Sequence, residues 1–146
     1  MAPTAGLYLR MALIGRLHPI LVHFPIALIV AAFGCELASM ATRLGEWHAA
    51  AVANVRIGAV FAVGSAIAGW IFACSPMVDM SPSLEWHRWV GACAALAAVG
   101  AGLSSLDSSS RSIWIYRGAL GTAAALVGVT GHLGGVLVWG AHFFGL

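Results

Sequence analysis

Six histidines stand in a chain of 146 residues that is 61% hydrophobic and only 8% charged. Two of them frame the run His18-Pro19-Ile20-Leu21-Val22-His23-Phe24-Pro25, and a third lies in Gly131-His132-Leu133-Gly134-Gly135. His87 follows Trp86, and His48 and His142 complete the set. Neutral imidazole in apolar surroundings is a standard axial ligand for haem iron, and it also binds zinc or copper. Cys35, Cys74 and Cys93 are isolated, in neither CxxC nor CxxCH spacing. A haem here is therefore non-covalent, hence b-type, and the thiols read as small apolar side chains. A zinc site would need further ligands, for which Asp79, Glu85 and Cys74 are at hand.

What must position these residues is a membrane scaffold. A soluble domain is about one quarter charged, so this chain lacks the polar surface to face water on all sides. A bilayer core takes roughly 20 apolar residues per helix, and four stretches qualify: 18–40, 51–74, 87–106 and 112–138. The first is too long for the apolar core of a secretory signal and is expected to be retained. Links as short as ATRLGEWH and SSLDSSSR force each helix to return beside the last. The expected fold is an all-α membrane protein, a single antiparallel bundle of four transmembrane helices over residues 1–146. Trp47 and Trp114 mark one set of helix ends, which we term side B. Trp70, Trp86, Trp89 and Trp139 mark the other, side A, which also holds both termini. All seven basic residues are Arg. Four lie towards side B (Arg43, Arg56, Arg111, Arg117) and three towards side A (Arg10, Arg16, Arg88), which leans side B towards the cytoplasm and the termini towards the periplasm. No basic stripe points to nucleic acid.

This topology gathers five histidines at side A and leaves His48 at side B. With a rise of about 1.5 Å per residue, His23 and His132 both fall roughly 7 Å inside their helices, and His18 and His87 lie shallower. The expectation is a deeper pair, His23 with His132, and a shallower pair, His18 with His87. Ionisable groups inside a membrane mark functional sites by default, whereas His48 and His142 read as interfacial. Small residues recur at helical spacing beside the histidines: His23, Ala27, Ala31 and Gly34; Gly58, Ala62, Ser65 and Gly69; His87, Gly91, Ala94 and Ala98; Gly121, Ala125, Gly128, His132 and Gly135. Such stripes let helices approach closely in lipid, so each is expected to face a neighbour. Gly131, Gly134 and Gly135 would let a flat macrocycle approach the backbone, and Arg16, Arg88, Trp86 and Trp89 could hold its propionates.

The HPILVHFPIAL and GHLGGVLV segments resemble an uncharacterised family of four-helix bacterial membrane proteins with HPxxVHFP and GHxGGxLVY motifs. The resemblance spans residues 15–140, with Trp139 where tyrosine is usual. It implies a multi-pass protein of the bacterial inner membrane, sometimes linked to cytochrome c or sugar-dehydrogenase modules. Its matching histidines are His18, His23 and His132, with His87 a looser fit. Residues and resemblance together predict a small redox subunit rather than an enzyme in its own right. It would hold one haem b, or two, on His23, His132, His87 and His18. Electrons would pass between a dehydrogenase or cytochrome c and quinone or a larger complex. The rival expectations are a cofactor-free structural or assembly subunit, and a metal or proton conduit using the same histidines.

Overall fold

The computed structural model describes residues 13–75, 78–107 and 109–140. His142 and Arg10 lie outside them. The described chain is helical throughout its elements: α1 (His18–Leu21), α2 (His23–Thr42), α3 (Gly45–Ala73), α4 (Pro82–Ser104) and α5 (Ser110–Trp139). The boundary between α1 and α2 has a local cause. Pro19 sits in the first turn of α1, where its missing N–H costs nothing. Pro25 then has no N–H to give the Leu21 carbonyl, and regular helix is interrupted at Val22. The apolar helix nevertheless continues from Leu13 to Thr42 as one candidate span.

The other ends are set by equally local chemistry. Arg43 takes the left-handed conformation (φ 60°) that stops α2, and α3 begins two residues later at Gly45. Ser81 caps α4 by accepting from the Leu84 N–H, with Pro82 at the first helical position. Ser109 caps α5 through the Ser112 N–H and is itself held by the Asp107 carboxylate. Those two bonds keep the Asp107 carboxyl below the usual carboxylate range.

Contacts run in opposite senses along successive helices, as in hairpins. From α1 and α2 to α3, His18 meets Ser65, Ile29 meets Gly58, and Glu36 meets His48. Between α3 and α4, Ala59 meets Gly102, and Arg56 donates to the Ser105 side chain and carbonyl just beyond. Between α4 and α5, Ser104 meets Ser112 at one end and His87 meets Thr130 at the other. Glu36 with Arg117, and Phe33 with Gly121, close the ring between α2 and α5. The interior is narrow and alanine-rich: Ile29, Ala32, Val55, Ala59, Ala62, Ala98, Leu120 and Ala123 are buried in it. The outside is apolar too, with Val60, Leu96 and Val138 each more than 70% exposed. An apolar exterior of this kind suits lipid rather than water. Three helical stretches, Leu13–Thr42, Gly45–Ala73 and Arg111–Trp139, are long and apolar enough to cross a membrane. The described α4 falls outside that group: it opens with Glu85, His87 and Arg88 and continues mostly in alanine and glycine.

Two expectations from sequence need correction. The link between the first two long helices is only Arg43-Leu44, because Gly45–Ala50 are helical and extend α3 well before residue 51. The small-residue stripes also do not all face neighbours. Those of α3 and α4 do, with Gly58, Ala62, Ser65, Ala94 and Ala98 buried. On α2, however, Ala27, Ala31 and Gly34 are exposed, while Pro25, Ile29, Ala32 and Glu36 face inwards. On α5 the inward stripe is Ser112, Tyr116, Leu120, Ala123 and Val127, and Gly128 has nothing within 4 Å of where a Cβ would stand. Large side chains fill those two interior faces because α3 and α4 present mainly alanine to them.

Candidate functional site

His18 and His87 come together at side A. Their rings lie 6.1 Å apart between centroids at an interplanar angle of 82°. Since α1 runs into α2, and α2 and α4 each pack against α3 and α5, the two rings meet across the diagonal of the bundle. Both are half-buried. The proline that starts α1 places His18 at its head, and the Ser81–Pro82 cap places His87 in the second turn of α4.

Each ring is held the same way. His18 Nδ1 donates to the Ser65 carbonyl at 2.9 Å, and His87 Nδ1 donates to the Thr130 carbonyl at 3.1 Å. A carbonyl can only accept, so both Nδ1 atoms carry the proton and both Nε2 atoms keep a lone pair. Donation of one ring nitrogen to a backbone carbonyl is how ligating histidines are oriented. Thr130 bonds its own hydroxyl back to the Leu126 carbonyl, and Gly69 and Gly134 leave room for the rings. A Cβ on Gly69 would stand 2.7 Å from His18 Cε1, and one on Gly134 3.2 Å from His87 Cε1.

A cation sits beside this pair. The Arg88 guanidinium lies 3.9 Å above the Trp70 ring, and Trp70 meets Trp89 edge-on. Arg88 Nε is buried with no hydrogen-bond partner, and the long contact from Nη1 to Met80 Sδ (3.9 Å) is weak. Arg16 is exposed at the same end, and Glu85, Trp86 and Trp89 line a shallow surface hollow of about 280 Å³.

The remaining expected residues are placed differently. His23 and His132 are both exposed on the outside of the bundle, the former because Pro25 and Ile29 take the inward face of α2. Gly134 backs His87, whereas Gly135 is half-buried and Gly131 has open space beside it. Asp79 and Cys74 are exposed. Among the described residues, no group of three or more His, Cys, Asp and Glu side chains could hold a metal ion. Among the described residues, His18 and His87 therefore stand as a pair of imidazoles without a third such side chain beside them. Sequence reasoning also missed Glu36, which is 3% exposed on α2 and bonded to His48 and Arg117. A lone carboxylate within an apolar run was the available signal.

Residues 16–143 match the model of a family described as predicted membrane protein, DUF2231. No curated protein and no solved structure matches the chain.

Proposed function

The chain belongs to this DUF2231 family of membrane proteins, and from that premise we propose that it is a b-type haem-binding electron-transfer subunit. His18 and His87 would supply the two iron ligands. The observation that carries the reading is the paired Nδ1 donation to Ser65 and Thr130, which leaves two Nε2 lone pairs in one half-buried place. The two rings meet edge-on with centroids 6.1 Å apart, close enough for both to be turned towards one group. Bound there, haem would supply a one-electron couple tuned by its axial ligands and burial. The chain's own part is to fix the tautomers through the carbonyls, accept the rings against Gly69 and Gly134, and offer Arg88 and Arg16 to the propionates. His23 and His132, being exposed, would be a second pair only if another surface covered them.

In this proposal all four long helices span the bacterial inner membrane in an up-down-up-down order, with side B in the cytoplasm and the termini in the periplasm. α4 can span despite its modest hydropathy because its 23 residues cover roughly 35 Å. A dehydrogenase or cytochrome c on the periplasmic side would be the donor, and quinone or a larger complex the acceptor. A conduit is less well supported, because Ile29, Val55, Ala59, Leu120 and Ala123 pack the interior between the two polar ends. A cofactor-free assembly subunit is the serious rival, since hydrogen-bonded rings seated on glycine can also act as a helix pin. The absorption spectrum of the purified protein before and after dithionite separates the two. A low-spin haem lost in both His18→Ala and His87→Ala, and retained in His48→Ala, is the expected result. Colourless protein purified from haem-replete cells defeats the cytochrome reading.

A further inference from the structure

A second polar cluster lies at side B, and haem binding makes no use of it. Glu36 is buried on α2, whose other residues are apolar, small or uncharged apart from the His23 at its start. Its Oε2 accepts from Nδ1 of His48 at 2.7 Å, and its Oε1 accepts from Nε of Arg117 at 2.7 Å. Tyr116, 1% exposed, meets the His48 ring edge-on at 5.6 Å. The buried Tyr116 hydroxyl lies beside the same carboxyl, within hydrogen-bonding reach of it.

An arginine–carboxylate pair alone would account for charge balance in the bundle. It would not account for an imidazole fixed on that carboxylate with 36% of its side chain still open. A carboxylate bonded to Nδ1–H holds the ring in one tautomer, turns the Nε2 lone pair away from itself, and stabilises the imidazolium that forms when Nε2 is protonated. Arg117 provides the standing countercharge to Glu36, so the ring, not the carboxyl, is the group offered to solvent. The charged and titratable neighbours are few. α2 contributes Glu36 and Cys35, α3 His48, and α5 Tyr116 and Arg117. On α4, Glu85, His87 and Arg88 belong to the first turns at side A, and Cys93 is exposed.

We propose that Glu36, His48 and Arg117 form a proton-acceptor site exchanging with water on side B. In the uptake step the His48 Nε2 lone pair forms an N–H bond with a proton from hydronium, which leaves as water. The triad then passes from net zero to net +1, with Glu36 facing a cation on each side.

The test is ¹⁵N-histidine magnetic resonance on the full chain in lipid nanodiscs. The expected result is a His48 ring that carries its proton on Nδ1 when neutral and gains the second on Nε2 across a range of acidified samples. Glu36→Gln should abolish the tautomer preference, because a neutral amide no longer holds the proton on Nδ1 as the carboxylate does. An unchanged tautomer in Glu36→Gln would overturn the proposal. Should that variant not fold, the wild-type spectra decide alone: a ring that stays neutral across the range leaves only an ionic clamp.

Discussion

Gly69 lies directly beneath the imidazole of His18, so closely that a Cβ there would meet the ring at 2.7 Å. The glycine is thus part of the histidine's position. Gly69→Ala should displace His18 from the Ser65 carbonyl and destabilise the bundle by about 1–3 kcal/mol, as overpacking does. Gly64→Ala, one turn away with nothing within 4 Å of its Cβ, should be neutral or slightly stabilising, because alanine favours helix. Thermal unfolding in detergent compares the two, and equal stability would mean that the ring does not rest on the backbone.

The inward face of α5 can be tested in the same manner. Ala123 is fully buried and Gly128 faces open space. Ala123→Leu is expected to cost about 1–3 kcal/mol, and Gly128→Leu to leave the unfolding midpoint of the isolated bundle nearly unchanged. The reverse order would require α5 to be rotated about its axis.

Removing one member of the buried ion cluster should be worse than removing two. Glu36→Ala leaves Arg117 without its countercharge, a change that typically costs about 3–5 kcal/mol for buried pairs. The double variant Glu36→Ala with Arg117→Met should recover a good part of that loss. A double-mutant cycle on chemical unfolding measures the coupling, and strict additivity would show that the two side chains do not meet.

Topology reporters decide whether α4 crosses the membrane. Fusions at residues 44 and 109 should report one side and a fusion at residue 79 the other. If 79 and 109 share a side, α4 lies along the membrane rather than across it, and the diagonal meeting of His18 with His87 fails with it.

Much of this architecture was legible in the sequence, and the failures have identifiable causes. Length and hydropathy located all four long helices. The two shallower histidines, paired on depth alone, do lie beside one another. Depth along a helix, however, carries no information on rotation about it. His23 and His132 matched in depth but point outwards, because the stripes of small residues that carry them compete with bulkier stripes for the interior. In lipid both stripes are compatible with the solvent, so hydropathy cannot rank them. Glu36 escaped notice for a related reason. Its partners become neighbours only because α3 starts at Gly45, which brings His48 back to α2 after a link of two residues.

The packed middle of the bundle, with Ile29, Val55, Ala59, Leu120 and Ala123 between the polar ends, makes the molecule resemble a small capacitor. A membrane voltage would fall mainly across that dry layer, with one set of titratable groups on each plate. Moving a unit charge through it works against about 2.3 kcal/mol for every 100 mV. A charge gained at His48 or at the His18–His87 pair is therefore felt at the other end as a field and not as a contact.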